Sequence, residues 1–293
     1  MPNEVDLRSI EGFAFELAAS SVGRYAPIND WEMLNSGLNV TLPYRTNAGP
    51  NDYLMFKARA TVPESKHRWF IKILLNGNAL VKVNNEAWGY DEAHTYFPVK
   101  PGGNIIEVHA TPRALFGQHT WEFRFDYAYL IEVNWRIMRL GLRLLTLIDF
   151  IERLPKDNPL RGELEDLLAN LTKGIRVSPT LSQITLTLMM LYDSPYSQFF
   201  SRMELRRPGG NYVMGVGLHG LGVVKGLLSD IPETINPDSI PINELEDELN
   251  RGLIKLSGKY PKEGLLIAVG HSHIDAAWLW PRGGTMRKVI RRF

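Results

Sequence analysis

The hydrophobic period of this chain changes near Val133, and that change limits its architecture more than any other feature. Upstream, apolar and polar residues alternate, as they do from Trp121 to Tyr127, which is the pattern of a strand with two different faces. Downstream, from Ile137 to Ile151, apolar residues recur every three or four positions, which is the pattern of a helix. The chain is therefore expected to fold as a β-rich part followed by a helical part.

The β-rich part is predicted to be a mostly antiparallel β-sandwich over residues 31–133. Short strand-like segments are spaced along it at 54–60, 69–75, 80–83, 104–110 and 121–127. The dipeptide Asn76-Gly77 tolerates positive φ, so we expect a hairpin turn there, and Pro101-Gly102-Gly103 predicts a second turn. Residues 1–30 are expected to form an arm or a short helix.

The helical part is predicted to span 134–262 as a connector. After the first helix, Pro159–Thr172 forms a second, and Asn243–Ser257 forms a fourth. The third is predicted to be capped by Ser178, to have Pro179 at its first position and to run to Tyr192. Arg136, Arg139 and Arg143 share one face of the first helix. Such a row can bind phosphate, but we favour a solvated helix face.

Composition excludes several classes of protein. Lys and Arg number 33 against 32 Asp and Glu, which leaves no basic excess for nucleic acid. The absence of cysteine excludes disulfides and thiolate ligands and indicates a reducing compartment. The first residues lack the pattern of a signal peptide, and the most apolar stretch, 129–151, carries too many charges to span a membrane. We therefore expect a cytoplasmic protein that does not bind membranes.

The last thirty residues contain the chain's candidate for chemistry. Gly264–Gly270 is a short, continuously apolar run, typical of a parallel strand buried on both faces, and His271, His273 and Asp275 follow it directly. Alternate residues of an extended segment point the same way, and imidazole nitrogen and carboxylate oxygen are natural zinc ligands. The alternative, without a metal, is a pair of hydrogen-bonded histidines at a strand end. The other five histidines are isolated and are interpreted as structural or surface residues.

The run Ile267-Ala-Val-Gly-His-Ser-His-Ile-Asp-Ala-Ala-Trp-Leu-Trp-Pro281 closely resembles the segment that opens the catalytic domain of glycoside hydrolase family 38, the α-mannosidases. The likeness is strongest to the cytosolic/vacuolar and prokaryotic branch, whose members carry a β-sandwich and a helical connector before the catalytic domain. Arg113–Gly117 is also similar to that branch. The resemblance implies that residues 263–293 begin an α/β, barrel-like catalytic domain that is truncated here.

The resemblance also implies roles for individual residues. His273 and Asp275 would bind a catalytic zinc ion, and Trp278 would line the subsite for an α-mannoside or oligomannose substrate. The family's nucleophile, acid/base and remaining zinc ligands lie downstream, so no catalytic residue is assigned to this chain. We expect it to be inactive unless a second polypeptide supplies them. One departure from the family is Gly283-Gly284, which replaces a usual glutamate.

Two alternatives remain open. The chain could be a non-catalytic carbohydrate-binding or scaffold module, in which Trp88, Tyr90 and Tyr96 stack on sugars, although we favour packing roles for these aromatics. The His-x-His pattern alone also occurs in metal-dependent amidohydrolases, but Trp278-Leu279-Trp280-Pro281 argues against that group.

Overall fold

The computed structural model describes residues 5–90, 94–113, 119–191, 240–261, 267–270 and 289. Over these residues the chain is a mixed α/β structure with two antiparallel sheets and five helices. It divides into two compact units. The helical unit takes in the described residues up to Arg24 and from Val133 to Ala268, and the sheet unit takes in Tyr25–Glu132 and the described residues from Val269 onward.

Eleven strands build the two sheets. They are β1 Val22–Pro27, β2 Asp30–Met33, β3 Leu38–Thr41, β4 Tyr44–Asn47, β5 Leu54–Val62, β6 Arg68–Leu75, β7 Asn78–Val83, β8 Glu86–Tyr90, β9 Tyr96–Val99, β10 Gly102–Thr111 and β11 Glu122–Val133. Sheet A has the order β1-β11-β6-β9, with β4 also paired to β11. Sheet B has the order β3-β2-β5-β10-β7-β8.

One hydrophobic core joins the inner faces of the two sheets, as expected of a sandwich. At its centre the Phe56 ring of sheet B stacks on Phe123 of sheet A with centroids 5.8 Å apart. The Phe125 ring lies 4.9 Å from Trp31 and 5.4 Å from Phe56. These side chains are almost fully buried, so the alternating pattern read from the sequence places the correct face inward.

The predicted hairpin at Asn76-Gly77 is wrong. The strands on either side of it, β6 and β7, belong to different sheets, so the dipeptide carries the chain from sheet A to sheet B. A Cβ added to Gly77 would lie 2.2 Å from the Thr111 carbonyl oxygen. The glycine is therefore required for close approach of two backbone segments, which a dipeptide signal does not distinguish from a turn.

A hairpin turn follows directly, at Asn84-Asn85 between β7 and β8. The two asparagines have φ of 50° and 69°, and the strands pair from Val83↔Glu86 to Ala79↔Tyr90. Asparagine is one of the few side chains that tolerate this region of backbone space. The Asn84 side-chain oxygen also accepts the Ile105 N–H at 2.8 Å, which ties the turn to β10.

The helical unit contains α1 Leu7–Ser20, α2 Trp135–Arg153, α3 Pro159–Thr172, α4 Leu181–Leu191 and α5 Ile242–Lys259. The Asn134 side chain caps α2 and the Asn158 side chain caps α3. The cap of α4 is Thr180 rather than the predicted Ser178: its hydroxyl accepts the Gln183 N–H, and the Gln183 side chain accepts the Thr180 N–H. Among the described helices, none has the length and apolar character needed to cross a membrane.

Helices α1 and α2 cross at very short range. A Cβ on Gly141 of α2 would lie 2.6 Å from the Ala14 carbonyl oxygen and 2.8 Å from the Ala18 Cβ of α1. Both alanines are fully buried, so small residues on each helix permit the contact. The Asn134 N–H also donates to the Ser21 carbonyl oxygen at 2.8 Å. Of the two expectations for the N-terminal segment, the short helix is the one observed, and it belongs to the helical unit.

The arginine row of α2 is a solvated helix face, as interpreted from the sequence, and it also contacts α5. Arg136 donates to the Asn243 side chain at 2.9 Å and is paired with Glu246. Arg143 donates to the Asn250 side chain at 2.8 Å. The row still has high exposure, with 56% of the Arg136 side chain accessible, so it combines helix packing with solvation.

Candidate functional site

The predicted zinc ligands His273 and Asp275 and the predicted sugar-contacting Trp278 lie outside the described residues. Their role therefore remains a prediction from the sequence. The part of the preceding run that is described, residues 267–270, forms no strand, and Ile267 and Val269 are 74% and 81% exposed. A strand of this composition needs neighbours on both sides, and the described strands supply none to it.

Within the described part of the chain, no group of three or more His, Asp or Glu side chains is arranged to hold a metal ion. Two of its histidines have defined structural partners. His109 lies between Tyr53 and Glu107, and the His119 Nε2–H donates to the Ala48 carbonyl oxygen at 2.8 Å.

The aromatic residues considered for sugar stacking pack within the sheet unit. Tyr90 is 2% exposed, and its hydroxyl accepts the Leu75 N–H at 2.9 Å and donates to the Leu75 carbonyl at 3.0 Å. Trp88 packs on the core beside Phe97, with centroids 6.3 Å apart. The half-buried Tyr96 ring meets Phe70 edge-on at 5.7 Å. Packing therefore accounts for all three, as the sequence favoured.

Trp121 is the most exposed aromatic side chain among the described large hydrophobic residues, and the sequence analysis gave it no functional role. It immediately precedes β11, and 78% of it is accessible, whereas the alternating pattern predicted a half-buried position. The His119 ring contacts it edge-on with centroids 4.5 Å apart. The Trp121 carbonyl oxygen accepts the Ala48 N–H at 3.1 Å. Ala48 is therefore hydrogen-bonded to both Trp121 and His119.

This arrangement presents a large, flat apolar ring to solvent beside His119. A tryptophan ring has few torsions to order on binding, which keeps the entropic cost of binding a ligand low. Rings of this kind suit the C–H face of a sugar or another flat apolar ligand. Trp121 continues the alternation of β11 in the sequence, so the pattern carries no signal of its exposure.

A polar chain crosses the outer face of sheet B. The Tyr53 hydroxyl is hydrogen-bonded to His109 Nδ1 at 3.1 Å, and His109 Nε2 lies 3.2 Å from a Glu107 carboxylate oxygen. Glu107 is in turn 3.9 Å from the Lys57 Nζ, opposite it in the β5–β10 register. Cross-strand pairs of opposite charge stabilise a sheet surface, so the chain is explained by the fold.

Burial perturbs a tyrosine of sheet A. Burial raises the pKa of the Tyr129 phenol, and the nearby Tyr25 raises it further. The two rings are 6.0 Å apart, and Tyr127 lies 5.5 Å from Tyr129 on the other side. Tyr129 is consequently a neutral packing residue at physiological pH.

No protein-family model matches the chain, and no curated protein matches it either.

Proposed function

We propose that this chain is the N-terminal portion of a zinc-dependent, retaining α-mannosidase of glycoside hydrolase family 38. The observation that carries the proposal is the run Ile267–Pro281, which matches the family's opening segment in register. The order of the chain is consistent with it, because a two-sheet unit and a set of helices precede the motif, as in the cytosolic/vacuolar and prokaryotic branch. On this proposal residues 263–293 begin the catalytic domain.

The proposed metal ligands are His273 and Asp275. Their donors, an imidazole nitrogen and a carboxylate oxygen, belong to the set that zinc prefers, and they fill two of its usual four positions. Bound zinc would hold two adjacent hydroxyls of mannose and stabilise the distorted sugar ring. The other ligands would come from a segment outside these 293 residues, so zinc should bind weakly to this chain alone.

Trp278 is proposed to pack against the sugar ring in the subsite next to the metal. Retaining hydrolysis further needs two carboxyl groups about 5–5.5 Å apart, one as nucleophile and one as acid/base. Asp275 is the carboxylate of the motif, and coordination to the metal would occupy it. The proposal therefore assigns neither role to a residue of this chain, and its partner would be a second polypeptide that carries the rest of the barrel.

The proposal is tested by measuring zinc binding and turnover of an aryl α-mannoside. The chain with zinc alone should give no turnover, and adding a polypeptide with the rest of the barrel should restore tight zinc binding and activity. In the restored enzyme, His273→Ala or Asp275→Ala should abolish both, whereas His94→Ala, at an exposed histidine of the sheet unit, should change neither. Turnover by the chain alone that depends on Asp275 would refute the assignment.

A carbohydrate-binding role for the sheet unit is the second candidate, and exposed Trp121 favours it. Quenching of tryptophan fluorescence by methyl α-mannoside or mannobiose measures such binding in the full chain. Trp121→Ala should remove the response, and Leu38→Ala, at another residue with 61% exposure, should leave it intact. A response that survives Trp121→Ala would exclude this surface.

A further inference from the structure

Helix α5 buries little apolar surface. Three of its eighteen residues are buried, Leu245, Leu249 and Leu256, whereas α2 buries nine of nineteen. On the outer side of α5, Ile254 is 71% exposed. Gly252 lies directly over the Leu167 side chain of α3, where a Cβ would be 2.4 Å from Leu167 Cδ1. Apolar packing therefore forms a narrow seam along α5 and leaves much of its docking to other contacts.

Polar side chains supply those contacts along α2. Asn243, Glu246 and Asn250 recur on α5 with the same spacing as Arg136, Arg139 and Arg143 on α2. Two pairs, Arg136 with Asn243 and Arg143 with Asn250, have the same sequence separation of 107 residues. Glu246 accepts from Arg136 and lies 3.8 Å from Arg139. The helices thus run side by side in matched register, joined by a row of charge-assisted contacts.

The C-terminal end of α5 is held in the same way, but by α3. Glu163 is paired with Lys259 and accepts a hydrogen bond from the Tyr260 hydroxyl at 2.6 Å. Both hydrogen bonds lower the pKa of Glu163, and the one from Lys259 has the larger effect. Carboxylates thus hold α5 near both of its ends.

The cations of these ion pairs lie at the surface, whereas the Glu246 carboxylate that two of them share is 13% accessible. More than half of each cationic side chain is accessible: 56% for Arg136, 59% for Arg139 and 59% for Lys259. Charges exposed in this way are screened by salt, because the Debye length falls from about 8 Å at 0.15 M to about 3 Å at 1 M. The narrow apolar seam of α5 is not screened, but it is small. Ionic strength therefore weakens the ion pairs that hold this helix near both of its ends.

We propose that α5 is a salt-sensitive clamp, which docks on α2 and α3 at low ionic strength and is released at high ionic strength while α1 to α4 stay folded. Release uncovers the guanidinium groups of Arg136, Arg139 and Arg143. The device depends on contacts within the helical unit and is independent of the proposed mannosidase activity.

Hydrogen exchange of the full chain, followed by mass spectrometry in a NaCl series from about 0.05 to 1 M, tests the clamp. Exchange in α5 should rise about tenfold across the series, because several exposed ion pairs weaken together. Exchange in α2 and α3 should change little. Exchange in α5 that does not respond to salt would overturn the proposal, and so would joint opening of α2, α3 and α5.

Variants separate the clamp from a general effect of salt. Glu246→Gln combined with Glu163→Gln should give rapid α5 exchange already at low salt and remove the salt response. Asp149→Asn breaks the exposed pair with Arg153 inside α2 and should leave α5 unchanged. Exchanging the charges, with Glu246→Arg and both Arg136→Glu and Arg139→Glu, should restore protection, and failure to restore it counts against the clamp. Should the double variant not fold, the salt series on the unmodified chain decides.

Discussion

Replacing Gly141 by alanine should destabilise the helical unit, although alanine is the better helix former. An added Cβ would stand 2.6 Å from the Ala14 carbonyl oxygen, about 0.8 Å short of an ordinary contact. It would also stand 2.8 Å from the Ala18 Cβ and Ala18 N. Two of these three atoms belong to the backbone of α1, so a rotamer change cannot relieve the clash and the helices must separate.

The magnitude follows from two opposed effects. Alanine gains about 0.8–1 kcal/mol over glycine in a helix interior. Overpacking of a close contact costs about 1–3 kcal/mol. Gly162 of α3 provides the matched control, since no atom lies within 4 Å of its added Cβ. We expect Gly162→Ala to stabilise the unit by up to about 1 kcal/mol and Gly141→Ala to destabilise it by about 1–2 kcal/mol.

Urea denaturation followed by circular dichroism at 222 nm measures the free energy of unfolding of both variants. Adding Ala18→Gly to the Gly141→Ala background should recover part of the loss, because it removes one of the clashing atoms. The recovery should be incomplete, since the Ala14 carbonyl stays in place. Equal stabilisation by Gly141→Ala and Gly162→Ala would refute the close crossing of α1 and α2.

Three further predictions concern the sheet unit. Phe125→Ala should lower the free energy of unfolding by about 3–5 kcal/mol, because it empties the space between Trp31 and Phe56; a loss below about 1 kcal/mol in urea titrations would contradict this packing. Asn85→Gly should stabilise the β7–β8 turn by up to about 1 kcal/mol and Asn85→Val should destabilise it, since φ there is 69°; equal urea midpoints for the two variants would argue against the turn. The raised pKa of Tyr129 means that the unfolded chain loses this proton first, so stability should fall as pH rises from about 10 through the raised value. Tyr129→Phe should flatten that fall in urea midpoints measured against pH, and an unchanged slope would rule out the assignment.

Local signals were sufficient for most helices. Pro159–Thr172 was predicted with the bounds that the structure gives, because a proline at the first turn and apolar spacing both act within the helix itself. Helix α5 was also located correctly, to within two residues at its C-terminus. The partner of each helix could not be predicted in the same way. The contact of the arginine row with α5 joins residues 107 apart, and no local pattern encodes it.

The sheet unit shows the same limit. Asn76-Gly77 indicates a change of direction, but only the position of Thr111 explains why glycine is needed. Trp121 is separated from Phe123 and Phe125 by even numbers of residues, so strand alternation alone predicts that it faces the core with them. It is exposed because it lies just outside β11. For the candidate site, residue chemistry suggested a metal motif, and a family resemblance supplied the roles of His273, Asp275 and Trp278. Their geometry stays a prediction.

The pairing of α1 with α2 has a consequence for synthesis on the ribosome. All the strands of the sheet unit, within a segment of about 110 residues, lie between these two helices along the chain. At translation rates of about 5–20 residues per second, α2 is completed on the order of ten seconds after α1 leaves the ribosome. During that interval the nascent α1 lacks its partner, and its side chains Phe15 and Leu17, which are fully buried in the finished protein, remain accessible to chaperones. The sheet unit has time to fold before the helical unit can close.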